Sequence, residues 1–207
     1  MFWVAWNIFL AVIPVVLAYT IFRLYDKRSS SLVRASMAIL GLVWLAFLPN
    51  TCYLLTEWRH FLGTLDYANL YSRWQTDSDA TLMLLTYTLF YMCYSGIGVF
   101  TFALAIRPVA CIAKKSGATL WVWAIPLFLL MSVGVYLGLV LRFNSWELIN
   151  KPGAIWASAV SVLHRPTLAA FVVLFAGFLW IAFIAVDIWI DGLVARWRHH
   201  LNRCDTL

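Results

Sequence analysis

The sequence predicts an all-α fold, a polytopic membrane helix bundle of about five transmembrane helices with a short interfacial helix on the outer surface. Three observations lead to this prediction. Of the 207 residues, 64% are hydrophobic and 12% are charged, and the mean hydropathy is +0.85. The apolar residues gather in five long segments, and most basic residues gather in alternate connections between these segments.

The composition excludes several classes of protein. Soluble domains carry about 25% charged and 45–50% apolar residues, so this chain is neither a water-soluble globule nor a disordered chain. Its net charge of +6 comes from basic loops beside apolar segments, which argues against nucleic acid as a partner. The cysteines, Cys52, Cys93, Cys111 and Cys204, form no Cys-x-x-Cys motif and indicate neither a disulfide framework nor a zinc site.

Five apolar segments are long enough to cross about 30 Å of hydrocarbon as helices, which takes about 20 residues each. They cover residues 2–22, 33–55, 81–106, 119–141 and 168–186 of a single membrane domain, 1–207. The first segment lacks a leading basic region and is longer than the apolar part of a cleaved signal, so we expect it to be retained. The runs are continuously apolar, without the alternation of barrel strands, which favours helices.

The positions of the basic residues predict the orientation of the chain. Ten of the 15 lie around residues 23–34 and 107–118 and in the C-terminal tail. The positive-inside bias places these segments in the cytoplasm, so we expect the N-terminus outside and the C-terminus inside. The outer loops, 56–80 and 142–167, are longer and carry mixed charge. In the second loop, the apolar residues of 154–164 recur at helical spacing, which predicts the outer interfacial helix.

The second apolar segment ends in a helix break beside polar side chains. Pro49 has no backbone N–H and disrupts helical hydrogen bonding. Asn50 follows it and lies roughly 10 Å below Glu57 at about 1.5 Å per residue. The amide of Asn50 could satisfy the broken helix or face a polar cavity, and the sequence leaves both roles open.

Glu57 and His60 are three residues apart, so a continuous helix places them on one face. A carboxylate and an imidazole in this register can bind a divalent metal or transfer a proton. The predicted orientation brings further polar residues to the same outer surface: Asn7, Asn50, Asp79, Arg142, Asn144, Glu147 and His164. Ionisable groups at membrane depth are costly and are candidate functional residues. At the inner end, Asp187 and Asp191 are expected to form a solvated helix end.

Four stretches resemble a family of bacterial membrane proteins catalogued as domain of unknown function 1361. They are residues 6–11 with Pro14, residues 48–60, residues 142–147 and the segment from His164 into the last helix. Residues 48–60 resemble its Pro-Asn…Tyr…Thr-Asp-x-x-His signature, and Arg-Phe-Asn-Ser-Trp-Glu at 142–147 resembles Arg-Trp-Asn-Ser-Trp-Asp. The resemblance covers about residues 3–190 and implies an integral membrane protein but no reaction. We therefore expect a multi-pass protein of the bacterial cytoplasmic (inner) membrane.

The chain departs from the family pattern at several positions. Glu57 and Glu147 stand where Asp is usual, and both keep the carboxylate. Phe143 replaces a Trp, and Leu139 stands where the pattern often has an Arg. Position 139 therefore supplies no guanidinium to the outer-face site. The outer loop 61–80 is also longer than usual.

We expect an integral membrane protein of unknown activity whose outer face binds an ion, a metal or a small polar ligand. The expected metal ligands are Glu57, His60, Asp79, Glu147 and His164. The residues expected to contact a ligand or form a network are Asn7, Asn50, Tyr53, Thr56, Arg142, Asn144 and Trp146. A divalent metal is the cofactor that such a set favours, and its identity and any catalytic residue stay open.

Other functions remain open alternatives. In a structural or accessory subunit of a membrane complex, the same polar residues would form a network that specifies helix packing. An intramembrane enzyme on an envelope or lipid-linked substrate is a further alternative, although Gly-x-Ser-x-Gly and His-Glu-x-x-His motifs are absent. Transport is less favoured, because five helices are few and no internal repeat is visible. Membrane lipids are expected partners, together with a membrane protein or a second copy of the chain.

Overall fold

A computed structural model of the chain describes residues 2–67, 69–139, 141 and 150–204. Over these residues the fold is helical and contains no strand. The helices are α1 (Phe2–Tyr25), α2 (Ser31–Phe47), α3 (Pro49–Thr56), α4 (Trp58–Tyr67), α5 (Leu70–Arg73), α6 (Ser78–Lys115), α7 (Leu120–Leu139), α8 (Pro152–Ser161) and α9 (Pro166–Cys204). A 3₁₀ turn, Val162–His164, lies between α8 and α9.

Among the described residues, four helical segments are long and apolar enough to cross a membrane. They are Trp3–Tyr25, Ser31–Leu65, Ser78–Lys115 and Pro166–Trp197. A shorter apolar segment, Val122–Gly138, lies within α7, whose 20 residues extend about 30 Å. The predicted all-α membrane helix bundle is confirmed, and the chain is a multi-pass membrane protein.

Helices α6 and α9 extend well beyond the apolar segments from which they are predicted. They contain 38 and 39 residues, so each is about 57 Å long, almost twice the hydrocarbon thickness. Hydropathy marks the part of a helix that lies in lipid, whereas helical hydrogen bonding continues into water until a cap ends it. The cap of α6 is Asp77, whose side chain accepts from the backbone N–H groups of Asp79 and Ala80.

The connection 56–80 contains more helix than the hydropathy pattern predicts. The segment 56–80, expected as a loop, contains α4 and α5, which bury Phe61 and Leu70 against the bundle. Helix α8 and the 3₁₀ turn cover the segment 154–164, where the sequence predicts an outer interfacial helix. Ile155 of α8 is buried and the neighbouring Trp156 is 73% exposed, as in a helix with one packed face.

Helix α6 lies at the centre of the bundle and contacts α1, α3, α7 and α9. Phe102 of α6 and Phe128 of α7 are fully buried in the main core. Helix α3 approaches α6 closely at Gly98, where a Cβ atom would lie 2.8 Å from Cβ of Leu54. Small residues allow such close helix packing in membranes, where lipid already solvates apolar side chains.

Candidate functional site

The chain bends between α2 and α3 at Pro49, where the sequence predicts a break. The backbone N–H of Thr51 donates to Leu48 instead of Phe47. The side chain of Asn50 donates from Nδ2 to the released carbonyl oxygen of Phe47 over 3.0 Å. Asn50 is buried. Its amide satisfies a backbone group at the bend, which is the first of the two roles that the sequence left open.

The carboxylate of Glu57, directly after α3, is the centre of a polar cluster. Nδ2 of Asn7, in the second turn of α1, donates to Oε1 of Glu57 over 3.1 Å. Nε2 of His60 lies 3.2 Å from Oε2, and 14% of the Glu57 side chain is exposed. The structure therefore brings Asn7, Glu57 and His60 together, although Asn7 and Glu57 are 50 residues apart in the sequence.

Aromatic side chains surround this cluster. The ring of Trp3 lies 5.5 Å from the imidazole of His60 and, edge-on, 6.1 Å from the ring of Tyr94. Tyr94 is buried, and its hydroxyl lies beside Asn7. Sequence analysis did not single out Trp3 or Tyr94, because aromatic residues are abundant along the whole chain. Low-polarity surroundings strengthen the electrostatic interactions of Glu57.

The geometry of the pair determines what it can do chemically. Nε2 of His60 faces the carboxylate, so the other ring nitrogen, Nδ1, is the one that can meet a ligand, and 53% of the side chain is exposed. A carboxylate beside one imidazole nitrogen restricts the orientation of the ring. The pair can therefore present a metal ligand or a proton acceptor at the protein surface.

Asp79 does not join Glu57 and His60. It is exposed in the first turn of α6. The level of Glu57 on α6 is marked by Tyr91, whose ring lies 6.3 Å from that of Trp58. About 18 Å of helix separates Asp79 from Tyr91. The reason is that Glu57 lies level with a part of α6 well inside the apolar segment 81–106, whereas Asp79 lies before the start of that segment.

The predicted set of metal ligands is not assembled within the described part of the chain. His164 is exposed in the 3₁₀ turn before α9. No three His, Cys, Asp or Glu side chains among the described residues lie close enough together to hold a metal ion. A third such ligand for a metal at Glu57 and His60 would have to come from residues outside this set.

The second signature, with Arg142, Asn144, Trp146 and Glu147, lies outside the described residues. Its meeting with Glu57 therefore stays a prediction from the sequence. Tyr53 and Thr56 are described. The hydroxyl of Thr56 donates to the carbonyl oxygen of Tyr53 over 3.0 Å, a bond local to α3. The hydroxyl of Tyr53 lies against Gly138 of α7, where a Cβ atom would overlap it.

A second charged cluster lies at the opposite end of the bundle. Nε of Arg107, on α6, lies 3.2 Å from Oδ1 of Asp187 on α9, and its guanidinium also pairs with Asp191. The two aspartates are thus not simply a solvated helix end. The sequence did carry a signal, because Arg107 directly follows the third apolar segment and Asp187 directly follows the fifth. Charges at the same membrane boundary commonly pair.

These features define a class: a helical multi-pass membrane protein with a mostly buried carboxylate–imidazole pair at one end of its bundle. The chain belongs to the family described as "Protein of unknown function (DUF1361)", whose model matches residues 6–182. The match includes both polar signatures and confirms the resemblance seen in the sequence. No curated protein and no solved structure matches the chain.

Proposed function

We propose that this membrane protein binds a small polar ligand, most simply a divalent cation, at an outer-face site built around Glu57 and His60. The observation that supports this proposal most is the carboxylate of Glu57, which is mostly buried, hydrogen-bonded by Asn7 and paired with His60. Ionisable residues at membrane depth are costly, and those that occur there commonly bind or transfer ions.

In this proposal His60 is the direct ligand and Glu57 is the residue that positions it. His60 would offer Nδ1, while Glu57 holds Nε2 and adds negative charge that favours a cation. The signature at 142–147 would complete the site. Glu147 would be a second carboxylate ligand, and Arg142 would pair with a carboxylate or with an anionic group of the ligand. Asn144 and Trp146 would orient the bound species.

We further propose that the site faces outwards from a bacterial inner membrane. The basic connections after α1 and α6 and the basic end of α9 would then lie in the cytoplasm. This orientation places the N-terminus of α1, with Trp3 and Asn7, outside. Reporter fusions at the two termini test it, and a C-terminal reporter active outside the cytoplasm would contradict it.

Metal analysis of the purified full-length protein tests the binding proposal, followed by calorimetric titration with Zn²⁺, Mn²⁺ and Mg²⁺, each alone. We expect His60→Ala and Glu147→Gln to abolish the tightest binding. Glu57→Gln should weaken binding about 10–100-fold, as is usual when a group that orients a ligand is lost.

Asp79→Asn is the matched control, because it removes another carboxylate from the same end of the bundle, away from the pair. It should leave metal content and affinity unchanged. Equal metal content in the wild type and all four variants would refute the proposal.

A structural or accessory role is a second candidate, favoured by the hydrogen bond that joins α1 to the end of α3. A double-mutant cycle with Asn7→Ala and Glu57→Gln measures the coupling between the two side chains. Hydrogen bonds between membrane helices contribute about 0.6 kcal/mol on average and up to about 1.7 kcal/mol. Coupling above about 1 kcal/mol without metal binding in any variant would favour this role over the first.

A further inference from the structure

An open cleft lies at the connection between α1 and α2. Its volume is about 490 Å³, and the described residues that line it are Asp26, Arg28, Ser29 and Arg34. All four carry polar side chains, and two of them are guanidinium groups. The lining therefore suits a polar and charged ligand, and the following contacts show which of its charges are available.

Contacts with Tyr25 fix the position of Arg28. The Cζ atom of Arg28 lies 3.9 Å from the centre of the Tyr25 ring, and Nη1 donates to the carbonyl oxygen of Tyr25 over 3.0 Å. Tyr25 is itself buried, and its hydroxyl is hydrogen-bonded over 2.9 Å to that of Ser116, which directly follows α6. The ring and the carbonyl are uncharged, so they orient the guanidinium without cancelling its charge. Most of its five N–H donors stay open to a ligand.

Arg34, in the first turn of α2, is the second cation of the cleft. Its side chain is exposed and makes no hydrogen bond, ion pair or ring contact with another described residue. The hydroxyl of Ser29 likewise has no partner among the residues that the structure describes. One guanidinium and one hydroxyl of the cleft are therefore fully available to a bound molecule.

The carboxylate of Asp26 is the one negative charge in the described lining of the cleft. Its Oδ1 lies 3.7 Å from Nζ of Lys115, at the end of α6. Lys115 offsets the charge of Asp26, so these three cations and one carboxylate give the cleft and its edge a net charge of +2. The cleft therefore favours an anion.

The donors of the cleft match a phosphate monoester better than other common anions. The planar fork of a guanidinium group binds pairs of phosphate oxygens. A phosphate monoester presents three free oxygens and a charge of about −1.5 to −2 near neutral pH, so Arg28, Arg34 and Ser29 can each donate to it. A carboxylate and a phosphate diester each present only two free oxygens, which leaves donors of the cleft without a partner.

The cleft lies at a boundary of the membrane, which indicates how the phosphate is carried. The connection 26–30 joins two membrane-spanning segments, Trp3–Tyr25 and Ser31–Leu65. Leu32, two residues before Arg34, is 77% exposed on the second of these segments, where the surrounding solvent is lipid. A ligand can therefore lay an apolar chain along α2 while its phosphate enters the cleft.

We propose that this cleft binds the headgroup of a lipid that ends in a phosphate monoester, with the phosphate between Arg28 and Arg34 and within reach of the Ser29 hydroxyl. Asn7, which contacts Glu57, lies about 27 Å from Tyr25 along α1. The cleft is thus remote from the Glu57–His60 pair, so this proposal and the binding of a cation can fail separately.

Native mass spectrometry of the full-length protein in detergent tests the proposal. The probes are dioleoyl phosphatidic acid, which is a monoester, and dioleoyl phosphatidylglycerol, a diester with the same chains. We expect phosphatidic acid to bind about tenfold more tightly, as expected for one additional hydrogen bond to a charged group. Inorganic phosphate, titrated alone, should bind far more weakly than phosphatidic acid because it has no chain to place along α2.

Arg34→Gln should weaken the binding of phosphatidic acid about tenfold, because it removes a charged donor. Arg23→Gln is the matched control, since Arg23 is an exposed arginine in the last turn of α1 and does not line the cleft. It should leave the affinity unchanged. Asp26→Asn should tighten binding by up to about fivefold, the effect of removing one like charge near the anion in water.

The three substitutions are at exposed positions, and circular dichroism should show that the variants keep the helical fold. His60→Ala should bind phosphatidic acid as the wild type does, whatever its effect on cations. The proposal is overturned if the two lipids bind equally well or if Arg34→Gln and Arg23→Gln have the same effect. It is also overturned if Asp26→Asn weakens binding or if inorganic phosphate binds as tightly as the lipid.

Discussion

The two ends of the bundle hold their charged residues in different ways. At one end, the carboxylate of Glu57 is held by the neutral amide of Asn7 and by the imidazole of His60. At the other end, Arg107 lies between two carboxylates of α9, and 24% of its side chain is exposed. In the first cluster an amide and an imidazole contact one carboxylate, whereas in the second a guanidinium contacts two carboxylates.

This difference separates a stabilising contact from a candidate binding site. The Arg107 cluster joins α6 to α9, and its guanidinium offsets part of the negative charge of the two aspartates. The Glu57 cluster joins α1 to α3 but also presents one nitrogen of His60 at the surface. We therefore expect substitutions at the Arg107 end to affect mainly stability, and substitutions at His60 to affect mainly binding.

The largest effect is expected for Arg107→Met, which leaves Asp187 and Asp191 close together without their cation. The free energy of unfolding should fall by about 2 kcal/mol, between the values for exposed and buried ion pairs. Unfolding of the full chain in detergent micelles, followed by circular dichroism, measures it. Lys115→Met is the control, because Lys115 and Asp26 are more exposed and 3.7 Å apart. If Arg107→Met and Lys115→Met lower the free energy of unfolding equally, the Arg107 cluster stabilises the fold no more than the exposed pair of Lys115 with Asp26.

A smaller loss is expected at Gly98, which lies on α6 between the two ends. Gly98→Ala places a methyl group against Leu54 and should lower the free energy of unfolding by about 1–2 kcal/mol, as overpacking usually does. Gly96→Ala is the matched control, because nothing lies within 4 Å of its Cβ position. It should raise stability by up to about 1 kcal/mol through helix propensity. If both variants change the free energy of unfolding in the same direction, contact with α3 does not limit the size of the residue at position 98.

His60→Ala is expected to have only a small effect on stability, unlike Arg107→Met at the other end of the bundle. About half of the His60 side chain is exposed, so its pairing with Glu57 should contribute less than about 0.5 kcal/mol to folding. The same unfolding measurement applies. A loss as large as that of Arg107→Met would mean that His60 holds the fold instead of presenting a nitrogen to a ligand.

The smallest effect is expected at Asp77, in the connection before α6. The neighbouring Arg73 guanidinium, and the backbone N–H groups of Ala80 and Asp79, hold the pKa of Asp77 below its usual range. A carboxylate with a lowered pKa stabilises the fold above its unfolded pKa of about 3.9, and this contribution is lost as the pH falls through the folded value. NMR titration of the full chain in micelles should give a midpoint below about 3.9.

Arg73→Gln should move that midpoint upwards. Arg165→Gln changes an arginine in another connection and should leave it in place. If Asp77 titrates at the same pH in the wild type and in Arg73→Gln, the ion pair does not form in solution.

Much of the fold can be predicted from the sequence. Continuous apolar runs predict the membrane helices, because hydrocarbon offers no partner to an open backbone N–H or C=O group. The bend at Pro49 follows from its missing N–H, and its repair by Asn50 is one of the two roles that the residue type allows. The lengths of α6 and α9 do not follow, because hydropathy changes at the membrane boundary and helical structure does not.

The candidate site is predicted less completely. The pairing of Glu57 with His60 follows from their spacing, whereas the contact with Asn7 depends on how α1 and α3 are rotated about their axes. Asp79 was expected beside them, but it lies at the start of α6, about 18 Å of helix away from the level of Glu57. The partners of Arg107 can be recognised only when the alignment of α6 with α9 along their lengths is known.

The sequence by itself determined that this chain enters a membrane as helices, and which of its segments are apolar enough to lie in hydrocarbon. It could do so because a bilayer sorts residues by depth, and apolar length alone decides that sorting. Only the tertiary structure decided which of these residues touch. Contact between helices depends on rotation, bending and close approach at small residues such as Gly98 and Gly138, and these follow from packing against neighbours rather than from depth.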